Sequence, residues 1–313
     1  MKQIKIGNTE FSSSALALGI MRMNKLNIDS AVKTLETAHD VGINYIDSAD
    51  VYGHGKSETV FGNALKNSSL KREDFYIQSK TGIYEEPTLN YKTTRYDFSK
   101  KYIIKSVDGI LSRMQIDYLD SLLLHRPDAL MDPAEVGAAF DELQQDGKVR
   151  HFGVSNFNPR QVDLLQAGIS QKLLINQLQF SIMHTGPIDF NIHTNMTDNR
   201  SIDHDRGIFD YSRLHQMTIQ AWSPFQYGQI EGNFIGNSKF PQVNDTLEKL
   251  AKLKGCSKNA IAAAWILRYP ANIQVIIGTM TPEHIIDSAK GADIELSAQE
   301  WYDLYLAAGN DLP

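Results

Sequence analysis

Eight short apolar runs recur along the chain, each followed by a stretch with helical patterning. They lie at 15–18, 43–46, 75–78, 119–124, 149–154, 173–176, 218–221 and 273–277. Most are continuous rather than alternating, as strands buried on both faces of a parallel sheet read. The intervening segments carry helix punctuation. Asp132-Pro133 and Asn158-Pro159 each pair a capping side chain with proline at the first helical position, and their segments stop at Gly147 and Gly168. Thr281-Pro282 opens another helix, and 29–42 sets Val32, Leu35, Ala38 and Val41 on one stripe. Strand-then-helix, eight times over, predicts an α/β chain of the (β/α)8 TIM-barrel class. A β-hairpin from 3–6 and 10–13, turning at Gly7-Asn8, precedes it. The doubly wound rival needs a G-x-G-x-x-G turn between a strand and a helix. Only Gly53-His54-Gly55 comes near, and it reads as a tight turn. Nothing resembling a linker divides the chain, so residues 1–313 are expected to form one barrel domain.

Composition narrows the function classes. At 42% hydrophobic and 22% charged, the chain can bury a core and is not disordered. The 31 basic and 37 acidic residues leave a net charge of −6, which does not suit a nucleic-acid or anionic-membrane partner. A single cysteine, Cys256, excludes an intrachain disulfide and a thiolate zinc cluster. The first residues lack the apolar core of a secretion signal, and no run approaches a membrane span, so a cytoplasmic protein is expected. A closed barrel leaves no unpaired strand edge, so nothing forces assembly.

Two stretches break the pattern, at 181–206 and 225–241. They follow the sixth and seventh strands and so overhang the C-terminal face, where barrel enzymes carry their sites. His184, His193 and His204 gather in the first stretch. Their spacing is irregular and none is at a strand end, so a solvated loop is expected rather than a metal site.

The strand ends carry polar residues in order: Asp47, with Tyr52 five residues on; Lys80; His125; Ser155-Asn156; Gln177; Trp222-Ser223; and Gly278-Thr279. Taken singly, each has a structural reading as a cap, a packing residue or a solvated charge. Taken together they describe a proton-transfer device. A tyrosine near pKa 10 is a poor acid at neutral pH, a nearby ammonium favours its phenolate, and a buried ammonium needs a carboxylate. Asp47, Lys80 and Tyr52 can form that chain, with His125 donating a hydrogen bond to a substrate oxygen. The device needs neither a metal nor a covalent intermediate.

At this point the sequence resembles the aldo-keto reductases. The run GINYIDSADVYG at 42–53 is similar to that family's first signature, and GKVRHFGVSNF at 147–157 to its second. Ser79-Lys80, LLLHR at 122–126, Asn176-Gln177 and AWSP at 221–224 follow in the expected order. HRPDALM at 125–131 looks most like a bacterial oxidoreductase branch, the YdhF-like one. The resemblance implies an NAD(P)(H)-dependent enzyme reducing aldehydes or ketones, with Asp47, Tyr52, Lys80 and His125 as its catalytic tetrad and Tyr52 as the acid. It implies that Ser155, Asn156 and Gln177 hold the nicotinamide carboxamide and that Trp222 stacks on the ring. It places Ser223, Pro224 and Phe225 at the pyrophosphate, and Gly278, Thr279, Thr281, His284, Asp287 and Ser288 around the adenosine end. NADPH-specific relatives carry a Lys and an Arg where this chain has Gly278 and His284. That departure argues against a strong NADPH preference, but Thr279 and Thr281 can still donate hydrogen bonds, so NADP(H) is the favoured cofactor and NAD(H) the alternative. Met21, Arg22, Ile83, Tyr84 and Gln226 are expected around the substrate mouth, beside Tyr52 and His125. A rival function, a nucleotide-sensing or regulatory barrel with little turnover, keeps the same cofactor site.

Overall fold

Eight parallel strands close into a barrel in the computed structural model, which describes residues 1–85, 94–228 and 230–313. In chain order they are β1 (Leu16–Gly19), β2 (Tyr45–Asp47), β3 (Tyr76–Thr81), β4 (Leu119–Leu124), β5 (Val149–Ser155), β6 (Leu173–Gln179), β7 (Thr218–Trp222) and β8 (Ile273–Ile277). Each pairs with the next, and β8 closes on β1 through Val275 opposite Leu16 and Ile277 opposite Leu18. Helices return the chain between strands, among them Ile28–Asp40, Lys56–Asn67 and Lys100–Met114. The capping expected at two helices is present. The Asp132 side chain accepts from the Ala134 amide, and Asn158 and Gln161 bond each other's backbone amides in a capping box.

Two apolar cores result. The larger lies between strands and helices, around Phe61, Ile77, Val107, Phe140 and Trp265. Trp265 and Trp301 stack at 4.8 Å, and each indole N–H donates to the other's carbonyl, fixing the helix Ala298–Ala307 to the shell. The smaller core fills the barrel itself with Ala17, Tyr45, Leu123, Ile175 and Ile276. The N-terminal hairpin adds Ile4, Ile6 and Phe11 to that inner cluster.

Several boundaries differ from expectation for one physical reason. β3 runs to Thr81 rather than 78, and β6 to Gln179 rather than 176. The apolar pattern stops early because the later residues Lys80 and Gln177 are polar, and both bond Asp47. The hairpin strands are Gln3–Lys5, ending one residue earlier than expected, and Ser12–Ser14, starting two later, because the turn is wider: the Ile6 amide donates to the Phe11 carbonyl at 2.9 Å.

The stretch 181–206 is ordered, not irregular. It holds the helix Gly186–Ile192 and is fastened to the C-terminal residues by Arg200, which donates to the Gly309 carbonyl at 2.9 Å and pairs with Asp189 at 3.2 Å. His193 is not solvated. It is 1% exposed, bonds Asp198 at 3.0 Å, and is raised above the ordinary histidine pKa chiefly by that bond. Among the described residues no group of His, Cys, Asp and Glu is arranged to hold a metal ion. Nor, among them, is any helix long and apolar enough to cross a membrane.

Candidate active site

The inside of the barrel is wired by amides. Gln274 Nε2 donates to Ser13 Oγ and the Ser14 carbonyl behind the N-terminal hairpin, at 3.0 and 2.8 Å. Gln220 Nε2 donates to Gln274 Oε1 at 2.8 Å, and Gln220 Oε1 accepts from both Gln78 and Gln177, at 2.8 and 3.0 Å. Those same two amides also donate to Asp47 Oδ1, at 2.7 and 2.8 Å. Donation thus runs down from Gln78 and Gln177 through Gln220 and Gln274 to the hairpin, while Gln78 and Gln177 also donate to the one carboxylate at the mouth. Gln78, Gln220 and Gln274 were not singled out from sequence. Their signal was available: Gln78 and Lys80 share a strand face, as do Gln220 and Trp222, by the period of two.

Asp47 also receives the side chain that most needs it. Lys80, 0% exposed, reaches Asp47 at 2.8 Å, the Ser48 carbonyl at 2.7 Å and the Tyr52 hydroxyl at 3.2 Å. Burial works against the Lys80 charge. Attraction to Asp47 and Tyr52 more than offsets it, so the ammonium is held above the ordinary lysine pKa.

Tyr52 is brought to that point by a turn. Gly53, His54 and Gly55 all have positive φ, at 58°, 54° and 81°, before the helix Lys56–Asn67 begins. Glycine tolerates this conformation, and at Gly53 a side chain would also strike Asn24 at 2.6 Å. Burial pushes the Tyr52 hydroxyl above the ordinary tyrosine range, and the Lys80 ammonium draws it back only in part. The expected net lowering is thus not found, because desolvation exceeds the pull of the cation. The His125 ring stands edge-on to Tyr52, 5.8 Å between centres. Burial, then the Lys80 and Arg126 charges, hold His125 well below the ordinary histidine pKa. Its Nδ1 is buried without a partner among the described residues. A protonated hydroxyl backed by an ammonium, beside a neutral imidazole, can donate to and protonate a carbonyl oxygen.

These groups open into a cleft of about 700 Å³ at the C-terminal ends of the strands. Asp47, Tyr52 and His125 line it, while Lys80 is sealed beneath. Ser155, Asn156 and Gln177 line one side. Asn156, at φ 61°, donates to Ser155 Oγ at 2.8 Å and accepts from the Trp222 indole at 3.1 Å. Gln177 spends its amide N–H groups on Asp47 and Gln220, leaving its carbonyl oxygen to the cleft. Trp222, Ser223, Pro224 and Phe225 form the wall after β7. Gly278, Thr279, Thr281 and His284 form the wall after β8.

Two expected residues are not brought to the cleft. Ser288 is 0% exposed and donates back to the His284 carbonyl at 2.7 Å, and Asp287 pairs with Lys290 at 3.5 Å. At the mouth, Met21, Arg22 and Gln226 line the cleft as expected. Ile83 and Tyr84 do not. They belong to a small hairpin, Ile83–Glu85 with Thr94–Tyr96, whose inward partner is the Tyr102 hydroxyl on the Ile83 carbonyl.

The cleft is basic. Arg22, Lys25 and Arg126 line it, and none has an acidic partner among the described residues. Its one carboxylate, Asp47, is neutralised by Lys80. This charge balance fits a dinucleotide bearing phosphates, and the polar groups after β5 and β6 fit a carboxamide at its other end.

A closed parallel barrel with Asp, Lys, Tyr and His converging on a basic cleft is the layout of a barrel oxidoreductase. The Aldo/keto reductase family model matches residues 15–305, and the chain belongs to that family. It is 34% identical to the 6-dehydroglucose reductase of Agrobacterium fabrum, over 87% of this chain and 85% of that one. It is 33% identical to the oxidoreductase YdhF of Escherichia coli, over 96% and 95% of the two chains, in keeping with the branch read from residues 125–131. A thermostable aldo-keto reductase solved with the inhibitor epalrestat superposes with a TM-score of 0.78 at 25% identity, over 98% of this chain and all of that one.

Proposed function

We propose that this oxidoreductase reduces an aldehyde or ketone to an alcohol with NADP(H), Tyr52 acting as general acid. The observation that carries the reading is the hydrogen-bonded run from Asp47 through Lys80 to Tyr52, ending in a cleft of unpaired cations. When bound, the reduced nicotinamide supplies the hydride. The protein's own residues do the rest. The substrate carbonyl oxygen sits between the Tyr52 hydroxyl and His125. His125, kept neutral, donates to it and orients it. Tyr52 gives up its proton as negative charge gathers there, and Lys80, anchored by Asp47, stabilises the phenolate left behind. Ser155, Asn156 and the Gln177 carbonyl would hold the carboxamide, with Trp222 beside the ring. Ser223, Pro224 and Phe225 would hold the pyrophosphate, and Thr279, Thr281 and His284 the adenosine end.

The substrate class follows from a second cavity of about 810 Å³ that adjoins the cleft at Arg126, Asn156 and Trp222. Its wall carries Gln161, Gln179, His184, His204 and Asp205. Gln161 and Gln179 are partly engaged by Asn158 and the Gly228 carbonyl, but His184, His204 and Asp205 would gain nothing from an apolar carbonyl, so a hydroxyl-rich carbonyl compound is the better fit. The Agrobacterium relative named for 6-dehydroglucose reduction supports this. The 313 residues are read as one domain, working as a cytoplasmic monomer without nucleic-acid or membrane partners.

The test is a fluorescence titration of the purified protein with NADPH and NADH, followed by reduction rates. Glyceraldehyde should be reduced with kcat/KM at least tenfold above butanal. Binding without turnover across a sugar-aldehyde panel would favour the regulatory barrel instead, and failure to bind either nucleotide would remove the oxidoreductase mechanism.

A further inference from the structure

Arg22 follows β1 and reaches across the mouth to the end of β8, where its Nη1 donates to the Gly278 carbonyl at 3.0 Å. That approach depends on the residue at 278. A Cβ there would lie 2.8 Å from the same Nη1, so the guanidinium tip would have to shift away. The guanidinium has five N–H donors and spends one of them on Gly278, and no carboxylate pairs with it among the described residues. Half-buried, it shares the cleft wall with Thr279, Thr281 and His284, and Lys25 on the same wall is equally without an acidic partner.

A half-buried arginine without a counter-ion, with most of its fork unspent, calls for an anion, and a phosphate takes that fork in pairs of hydrogen bonds. The segment after β8 has no cation of its own until Lys290, which is paired with Asp287. At 278 and 284 the chain has glycine and histidine, and Arg22 brings a guanidinium to Gly278 from the end of β1.

We propose that Arg22 binds the 2′-phosphate of NADP(H) and sets this enzyme's cofactor preference, with Gly278 as the matched residue that lets it in. The inference rests on the nicotinamide-dependent function proposed above. Arginine at 22 and glycine at 278 act as a pair: a side chain at 278 displaces the guanidinium, and a neutral residue at 22 leaves the phosphate without a partner.

The experiment measures dissociation constants of the wild type, Arg22→Gln, Arg22→Lys and Gly278→Ala for NADPH, NADH, 2′,5′-ADP and 5′-ADP. The expected result is that R22Q lowers the NADPH-to-NADH affinity ratio at least tenfold, with the same loss in the ratio of 2′,5′-ADP to 5′-ADP. R22K recovers part of it, and G278A moves in the direction of R22Q. The R22Q variant should also show a shallower salt dependence of NADPH binding. An equal loss for both dinucleotides places Arg22 on the diphosphate they share and overturns the proposal, as does an unchanged ratio. A wild type that binds NADH as tightly as NADPH overturns it too, while leaving the reductase function standing. A wild type that binds neither nucleotide fails the functional reading itself, and this inference with it.

Discussion

Lys80 donates to the Tyr52 hydroxyl at 3.2 Å from a position with no exposure to solvent. A lone ammonium does not survive there. It is kept by Asp47, whose carboxylate also collects two glutamine amides. Lys80→Met removes the charge behind Tyr52 and strands Asp47. It should slow carbonyl reduction about a hundredfold or more. It should also cost about 3–5 kcal/mol in urea unfolding, the penalty of breaking a buried pair. Adding Asp47→Asn should recover part of the stability and none of the rate.

His125 supplies a pH test. Burial, then Lys80 and Arg126, lower its pKa well below the ordinary value. A group depressed this way is neutral in the enzyme throughout the working range. The pH profile of kcat/KM for reduction should therefore run flat from about pH 6 to 8, where an unperturbed histidine near 6.5 would bend it. A limb near 6.5 that disappears in His125→Gln would contradict the assignment of a neutral donor.

Asp50 has the opposite tendency. Burial raises it to about 6, against a hydrogen bond from Ser106 at 2.6 Å, and its Oδ1 is buried without a partner. The unfolded carboxyl titrates near 4, so the folded chain holds this proton more tightly. The group favours the folded state below about pH 4, and that contribution is lost as pH rises through about 6. Asp50→Asn should leave stability unchanged near pH 4 and raise it by about 3 kcal/mol at pH 8. Thermal melts of both proteins across that range check the crossover.

Glu58 is 0% exposed and is held by Arg113, at 2.8 Å from Nε and 2.7 Å from Nη2, and by Ser79 at 2.9 Å. Ser79 precedes Lys80, and Glu58 lies in the helix that follows the Tyr52 turn. The pair therefore ties the acid to its ammonium. Arg113→Met should destabilise by about 3–5 kcal/mol because it strands a buried carboxylate. Glu58→Gln in the same protein should return much of that, as read by urea midpoint.

The barrel was legible because parallel strands buried on both faces leave continuous apolar runs, and Asp132-Pro133 and Asn158-Pro159 mark helix starts chemically. The tetrad residues stood at strand ends or one turn beyond, where a barrel collects its chemistry. The amide chain of Gln78, Gln220 and Gln274 was missed because a single glutamine within an apolar run carries no local sign of a partner. Only the closed barrel reveals that these groups satisfy one another. Arg22 was expected at the substrate mouth. Its turn to Gly278 is a contact across 256 residues of chain, which no local pattern encodes. His193 looked like a loop residue because its partners, Asp198 and the C-terminal segment, are joined to it only by folding.

The central claim is that Tyr52 delivers the proton. Its most direct test is single-turnover reduction of glyceraldehyde by Tyr52→Phe with NADPH already bound. The account predicts a rate lower by about 10² to 10⁴, with NADPH affinity within threefold of the wild type. A rate equal to the wild type would show that the proton comes from elsewhere and that the Asp47–Lys80–Tyr52 chain serves only to hold the barrel's mouth together.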